Sequence, residues 1–233
     1  MTEIQYDFNP AIIAQKEFLE SIEQFNEENK LVLENALAFA IKKHKDQWYD
    51  WKNNSKTPYT YHILRVAINV QKFNKTVPAI ISALWHDLLE DTDVTVEEIA
   101  DFLKTHNLSE QIIDILQSLN RKNFNTPAEY YEKILQNNVS FAVKTTDLLS
   151  NLEASYNRLD EMLSNETRFW FYRYLAEIKY LIFPKFSEKN SSHFEELNKI
   201  SYKIIKQLNT SQIEELHEFS QKYLAGGEIF SGW

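Results

Sequence analysis

The chain has 233 residues, which is long enough to bury one sizeable hydrophobic core or two smaller ones. Hydrophobic residues make up 43% and charged residues 25%, and the scarcity of glycine (3) and proline (5) disfavours the turn-rich β-sandwiches and β-barrels. The formal net charge of −9 disfavours a nucleic-acid coat or a binder of anionic membranes, although a metal and a few lysines can still attract a small anion.

The chain contains no cysteine, which excludes disulfides, thiolate zinc sites and cysteine nucleophiles. Any metal ion must therefore be bound by imidazole and oxygen ligands. The N-terminal stretch MTEIQYDFNP has no basic segment followed by an apolar core, and no apolar run approaches the ~18 residues of a membrane span. A soluble cytoplasmic protein without a membrane partner is the expectation.

Helical spacing of apolar residues recurs along the chain, whereas strict alternation of apolar and polar residues is scarce. Helix-start signals accompany several segments, among them Asn9 followed by Pro10, and Thr95 with Glu98 in capping-box spacing. The predicted helices span residues 9–26, 31–48, 61–73, 95–106, 110–119, 140–156, 166–183, 194–208 and 211–224, with further helices after Pro78 and after Thr126. Residues 48–58 are predicted to form a loop and residues 187–192 a polar linker.

The stretch LWHDLLEDTD, residues 84–93, places charged side chains in an otherwise apolar helix. On one continuous helix His86, Asp87, Glu90 and Asp91 would share an arc of roughly 140°. A helix that is apolar nearly all round is buried, and three carboxylates with an imidazole are costly there unless something pairs with them. A His-Asp pair alone is a weak signal, since a solvated helix surface explains it equally well. The whole set of four nevertheless favours a bound cation.

Two further motifs strengthen that interpretation. PYTYH ends at His62, and KTTDLLSN places Lys144, Asp147 and Asn151 at helical spacings of three and four residues. The three side chains of the second motif therefore share one helix face.

The order of these motifs resembles that of the HD phosphohydrolase superfamily. More narrowly, it is similar to the hydrolase domain of RelA/SpoT homologues and to the single-domain small alarmone hydrolases. That family carries Pro-Tyr-x-x-His, then His-Asp-x-x-Glu-Asp-Thr, then Lys-x-x-Asp-x-x-x-Asn. The chain has PYTYH at 58–62, HDLLEDT at 86–92 and KTTDLLSN at 144–151. The resemblance covers residues 30–183 and implies an all-α HD-domain helical bundle with two extra C-terminal helices.

The domain organisation that follows is one hydrolase-type domain over residues 1–186. Residues 187–233 are then a C-terminal helical extension packed on the same domain. This extension could cover the core, gate the pocket or mediate a homodimer.

The resemblance also implies a catalytic site and a reaction. Four side chains would hold one divalent metal ion, usually Mn²⁺: His62, His86, Asp87 and Asp147. Glu90 and Asp91 would act beside it as catalytic acids, and which of the two accepts the proton stays open. The implied reaction is hydrolysis of the 3′-pyrophosphate of (p)ppGpp to pyrophosphate and GDP or GTP, a reaction for which metal activation of water is suited.

Several residues are implied to bind the nucleotide. Asn151 matches a family asparagine that contacts ribose or phosphate, and Lys144 would approach a phosphate. A late helix of the family supplies an arginine and an aromatic residue, for which TRFWFYRY offers Arg168 and Tyr172, four residues apart on one face. The alternative, a core helix filled with aromatic side chains, stays open for this segment.

The chain departs from the family pattern before the first motif. The family has an Arg-Lys pair there, whereas this chain reads HKDQWYDWKNNSKTP, in which Lys52 or Lys56 could replace one of the pair. The change affects guanine recognition more than the metal chemistry. The family proline after the first ligand is Ile63, and Asp-Arg-Leu-His-Asn is replaced by DLLSN.

Three functional hypotheses follow. The first is a metal-dependent alarmone pyrophosphohydrolase acting on a small nucleotide. The second is an antitoxin with the same chemistry, opposing a toxic small alarmone synthetase by acting on ppApp or on the pyrophosphorylated 3′ end of tRNA. The third is a catalytically silent alarmone-binding module, against which the retained Glu90 and Asp91 argue.

Overall fold

A computed structural model describes residues 4–51, 55–164, 168–186 and 192–226. It confirms the predicted all-α fold, with a small sheet added at one side. The helices are α1 (Asn9–Ile22), α2 (Glu27–Lys43), α3 (Thr60–Gln71), α4 (Val77–Leu84), α5 (Leu88–Asp91), α6 (Val96–Thr105), α7 (Gln111–Leu119), α8 (Pro127–Leu135), α9 (Asn138–Tyr156), α10 (Leu159–Ser164), α11 (Arg168–Ala176), α12 (Phe183–Phe186), α13 (Ser192–Ile205) and α14 (Thr210–Leu224). A 3₁₀ turn spans Arg121–Asn123, and a π-helical segment, Glu177–Ile182, joins α11 to α12.

The core is built around α3 and α4. Helix α3 packs against α1, α4 and α9, while α4 also contacts α2 and α7. Every residue of α4 from Ala79 to Leu84 is buried, as a helix that is apolar on all faces should be. Within the described residues, no helix is long and apolar enough to cross a membrane.

Local sequence signals explain where several helices begin. The hydroxyl of Thr95 accepts a hydrogen bond from Glu98 N, and the Glu98 carboxylate accepts one from Thr95 N, which completes the predicted capping box of α6. At the start of α8 the hydroxyl of Thr126 accepts a hydrogen bond from Glu129 N, and the Glu129 carboxylate accepts one from Asn125 N. A reciprocal cap of Asn209 with Gln212 begins α14.

The predicted loop at 48–58 is wrong. Two strands of a three-stranded sheet lie there, β2 (Trp48–Asp50) and β3 (Ser55–Pro58), and β1 (Gln5–Tyr6) pairs parallel to β3. The antiparallel pair places Trp48 opposite Pro58 and Tyr49 opposite Thr57. Strands of two to four residues are too short for a clear alternation of apolar and polar residues, so no strand could be predicted there.

The helix predicted through HDLLED is not continuous. Helix α4 ends at Leu84, residues 85–87 form a turn, and α5 begins at Leu88. His86 Nδ1 donates to Ala83 O at 2.8 Å, and that carbonyl is the one that Asp87 N would bind in a continuing helix. The indole Nε1 of Trp85 donates to Ala36 O at 2.9 Å, which ties the turn to α2.

The C-terminal helices contact the rest of the chain at two places. Helix α13 packs against α9, and α14 packs against α11 and α8. The division into residues 1–186 and 187–233 stays a prediction, and residues 187–191 and 227–233 lie outside the described residues.

Candidate metal centre and catalytic cavity

A cavity of about 300 Å³ lies where α3, the 85–87 turn, α5, α9 and α11 meet. One set of its lining residues, here the metal wall, consists of His62, His86, Asp87 and Asp147. Another set, here the cation wall, consists of Arg121, Trp170, Arg173 and Tyr174. Glu90, Asp91, Lys144 and Asn151 also line the cavity.

The metal wall gathers the four predicted ligands. Each of His62, His86 and Asp87 offers a ligand atom, and these atoms lie within 4.8 Å of one another. Asp147 Oδ1 adds a fourth, 3.2 Å from His62 Nε2 and 3.8 Å from His86 Nε2. Four donor atoms at such separations can surround a single ion after small side-chain shifts.

Hydrogen bonds orient both imidazoles. His86 Nδ1 donates to the carbonyl of Ala83, so its Nε2 is left for a ligand, and His62 Nδ1 lies 3.2 Å from Ser150 Oγ. His86 Nε2 is buried and makes no hydrogen bond within the described residues, although Asp87 Oδ2 lies 2.8 Å away. An orphaned buried nitrogen between carboxylates is the feature expected of a metal ligand, since partners on the other ring nitrogen normally fix its orientation.

The carboxylates are also held by neighbours. Tyr59 OH donates to Asp87 Oδ2 at 2.5 Å, and Asn151 Nδ2 donates to Asp147 Oδ1 at 2.6 Å. Lys144 Nζ donates to the other oxygen of Asp147 at 2.8 Å. Lys144 and Asn151, both predicted to touch the nucleotide, therefore also position a predicted metal ligand.

The electrostatics of the metal wall favour a cation. Burial opposes ionisation of Asp87, but His86 and His62 hold the pKa of that carboxyl below its usual range. Burial likewise opposes a charge on His86, yet Asp87 and Asp147 raise its pKa to about 9. The carboxylates thus favour positive charge at the imidazole nitrogens, for which a proton and a metal ion would compete.

Glu90 and Asp91 occupy different surroundings in α5. The Glu90 carboxylate accepts from Arg121 N at 3.0 Å and from Arg121 Nη2 at 3.3 Å. Asp91 is exposed as a whole residue, but partial burial of its carboxyl group and the charges of Asp87 and Glu90 raise its pKa to about 7. A carboxyl group with that pKa can exchange a proton near neutral pH.

The residues predicted from α11 lie outside this cavity. Arg168 Nε and Nη2 bind the Glu215 carboxylate of α14 at 3.0 Å, and Tyr172 OH donates to the same carboxylate at 3.1 Å. Trp170, Arg173 and Tyr174 line the cavity instead. Arg168 and Arg173 are five residues apart, which turns them about 140° from each other around a helix.

The cation wall and two tyrosines are the residues that sequence reasoning missed. Tyr59 stands inside the PYTYH motif and could have been found there. Tyr49, whose ring stacks on His62 with centroids 4.9 Å apart, comes from the segment predicted as a loop. Aromatic residues occur on every face of RFWFYRY, so no periodicity indicated which face of α11 meets the cavity.

A second cavity of about 320 Å³ adjoins the first and shares Tyr49, Asn151, Trp170 and Tyr174 with it. Lys56 lines this second cavity, 3.6 Å from Asp50 Oδ1. The other candidate from the same segment, Lys52, lies outside the described residues.

Comparison with known proteins finds similar sequences and a similar solved structure. The chain is 25% identical over 195 residues to the guanosine-3′,5′-bis(diphosphate) 3′-pyrophosphohydrolase of Aquifex aeolicus, a match that covers 70% of this chain and 27% of that protein. It is 33% identical over 89 residues to a GTP pyrophosphokinase rsh of Brucella melitensis, covering 38% and 11%. A solved structure described as a metazoan orthologue of SpoT that hydrolyses ppGpp superposes with a TM-score of 0.52 at 18% identity, covering 74% of this chain and 94% of that one.

In sequence the chain is similar to a part of each of the two relatives, and it shares the fold of the SpoT orthologue; together these likenesses support a RelA/SpoT hydrolase-type domain. No protein-family model matches the chain. The two sequence matches span about a quarter and about a tenth of those relatives, so the similarity covers only one part of each longer protein. Membership of the single-domain small alarmone hydrolases stays a prediction.

Proposed function

We propose that the domain is a metal-dependent pyrophosphohydrolase that removes the 3′-pyrophosphate of ppGpp or a closely related alarmone. One observation supports this proposal: four side chains of types that could bind a metal, two further carboxylates and three cationic side chains line a single cavity. The names of the Aquifex relative and of the SpoT orthologue support the same substrate class.

We propose Mn²⁺ as the ion held by His62, His86, Asp87 and Asp147. Two imidazoles and two carboxylates suit a borderline divalent cation and leave coordination positions open. The orphaned Nε2 of His86 and the dense carboxylate charge fit such an ion. When bound, a divalent ion would lower the pKa of a water molecule and polarise a phosphoryl oxygen.

Asp91 is the better candidate for the general base. Its raised pKa of about 7 allows it to accept a proton from the attacking water near neutral pH. Glu90 is engaged by Arg121 through both carboxylate oxygens, which suits an orienting role. The water oxygen forms the new bond to phosphorus, the bond from phosphorus to the 3′-oxygen breaks, and the leaving 3′-oxygen gains a proton.

The second cavity is the proposed place of the nucleoside. Tyr49, Trp170 and Tyr174 supply aromatic faces there, and Asn151 lies at the junction of the two cavities. Aromatic rings stack on any base, which leaves guanine and adenine alarmones as alternative substrates.

In the decisive experiment the protein is incubated with Mn²⁺ and ppGpp, and the amounts of pyrophosphate and GDP released are measured. The wild type should release both in equal amounts, whereas Asp87→Ala should release neither. Parallel incubations with ppApp and with pyrophosphorylated tRNA test the antitoxin hypothesis, which predicts turnover of one of these instead. Well-folded, Mn²⁺-loaded protein that binds ppGpp in a calorimeter without turnover would support the silent binding module and overturn the proposal.

The cognate toxin, the tRNA 3′ end and the homodimer stay predictions from the sequence. Co-expression with a toxic small alarmone synthetase tests the first of these, because the wild type but not Asp87→Ala should then restore growth.

A further inference from the structure

Arg173 is a buried arginine with unused hydrogen-bond donors. It lies on α11, lines the catalytic cavity and is only 7% exposed. Its Nε and Nη1 are buried and make no hydrogen bond within the described residues. Buried donors without acceptors are unfavourable, so each such group in a native protein requires an explanation. A bound anion would supply the missing acceptors.

Glu177 neutralises Arg173 without using its donors. The carboxylate lies at the start of the π-helical segment, is 1% exposed, and has Oε1 3.8 Å from Arg173 Nε, which is beyond hydrogen-bond length. Its two oxygens accept instead from Tyr223 OH at 2.5 Å and Tyr131 OH at 2.7 Å. Glu177 therefore offsets the buried charge, while the guanidinium keeps donors for another partner.

The other cations of the cavity lining are already engaged. Lys144 Nζ binds Asp147 at 2.8 Å, and Arg121 Nη2 binds Glu90 at 3.3 Å. Arg173 instead lies against aromatic faces, with its Cζ 4.6 Å from the Trp170 ring centroid and 4.9 Å from that of Tyr174. Flanking rings restrict a guanidinium without consuming its N–H groups.

We infer that Arg173 binds a phosphoryl group of the ligand and that Glu177, held by Tyr131 and Tyr223, positions its guanidinium. Tyr131 belongs to α8 and Tyr223 to α14, so the C-terminal helix reaches the anion subsite through one carboxylate. That the phosphoryl group is part of a 3′-pyrophosphate rests on the proposed function, whereas the anion subsite does not.

The test of the subsite uses inorganic pyrophosphate as the probe, titrated calorimetrically into Mn²⁺-loaded protein with a protein-free titration subtracted. Arg173→Gln should raise the Kd about 10- to 100-fold, because charged hydrogen bonds to the anion are lost. The Kd of Arg173→Lys should lie between those of the wild type and Arg173→Gln, since lysine keeps the charge but lacks the forked donors of arginine. Arg65→Gln removes an arginine that pairs with Glu17 outside the cavity and should leave the Kd unchanged.

The positioning role is tested with Glu177→Gln and Tyr223→Phe. Each should raise the Kd for pyrophosphate by a smaller factor, about 3- to 10-fold, while Mn²⁺ affinity stays the same. Glu177→Gln should have no further effect when combined with Arg173→Gln, because residues that act through one another are not additive. A merely structural role for Glu177 would instead give a loss of pyrophosphate affinity that adds to the loss caused by Arg173→Gln.

The outcomes separate this inference from the proposed function. Pyrophosphate binding that depends on Arg173, without release of pyrophosphate from ppGpp, would support the subsite and contradict the hydrolase proposal. Folded Arg173→Gln protein with wild-type Kd for pyrophosphate and wild-type KM for ppGpp would overturn the subsite alone. A wild type that binds no pyrophosphate would overturn it as well.

Discussion

The metal wall and the cation wall of the cavity are built in different ways. Each member of the metal wall is fixed by hydrogen bonds from residues behind it, such as those of Tyr59 to Asp87 and Asn151 to Asp147. On the cation wall Arg121 is hydrogen-bonded to Glu90, but Arg173 relies on packing, since it lies against two aromatic rings and its balancing carboxylate is held by the C-terminal helix. The difference indicates a rigid centre for the chemistry and a ligand-facing side that substitutions of packed residues can alter.

The largest effect on activity is expected for substitution of Asp91, which lines the cavity with the metal wall. Asp91→Asn should lower kcat about 10²- to 10⁴-fold, the usual contribution of a general base, and leave the Kd for Mn²⁺ unchanged. Steady-state kinetics on ppGpp with calorimetric Mn²⁺ titration measures both quantities. Asp93→Asn is the matched control, because that carboxylate pairs with Lys43 on the surface. A wild-type kcat in Asp91→Asn would contradict this role for Asp91 and indicate that Glu90 is the general base.

A smaller effect, a loss of affinity for Mn²⁺, is expected when a hydrogen bond to a predicted metal ligand is removed. Tyr59→Phe deletes the hydroxyl that donates to Asp87 Oδ2, and such outer partners usually contribute 10- to 100-fold to metal affinity. The Kd for Mn²⁺ should rise by about that factor. Tyr61→Phe, two residues further along the chain and outside the lining of the cavity, should leave the Kd for Mn²⁺ unchanged. Equal affinities for both variants would show that Asp87 needs no such support.

Substitutions on the two faces of α11 should have different effects, one on the KM for ppGpp and the other on stability. Trp170→Ala removes a proposed stacking surface and should raise the KM for ppGpp about 5- to 100-fold. Arg168→Gln breaks the contact with Glu215 and should lower stability by at most about 1 kcal/mol with an unchanged KM. The opposite pattern would restore the nucleotide-binding role predicted for Arg168 from the sequence.

The smallest effect concerns the pH dependence of stability. Burial opposes ionisation of Glu177, but Arg173 and Lys144 keep its pKa below the ordinary 4.5. A depressed pKa contributes stability that is present above pH 4.5 and is lost as the pH falls further. The Tm difference between wild type and Glu177→Gln, a few degrees at pH 7, should therefore shrink below pH 4.5. A difference that is constant with pH would contradict the ion pair.

The four residues of the metal wall were predicted from the resemblance of their motifs to those of RelA/SpoT homologues, and the structure brings them together at one cavity. They come from three separate segments, and His62, His86 and Asp147 are buried while Asp87 is partly buried; their role as metal ligands stays a prediction. The helix break at Trp85–Asp87 was not predicted, since it depends on a side-chain hydrogen bond to Ala83 O that no periodicity encodes.

The cation wall could not be predicted in the same way. The rotation of α11 is set by its packing against α14, including the contact of Arg168 and Tyr172 with Glu215, and these partners are more than forty residues away in the chain. The sequence therefore predicted that α11 contributes to the cavity, but it placed Arg168 and Tyr172 there, whereas Trp170, Arg173 and Tyr174 line it.

The most direct test of the central claim is a crystal structure of the protein grown with Mn²⁺, analysed by anomalous diffraction. One anomalous peak should lie in the cavity, within coordination distance of His62 Nε2, His86 Nε2 and the carboxylates of Asp87 and Asp147. The absence of a peak there at saturating Mn²⁺, or a peak coordinated by other residues, would contradict the claim.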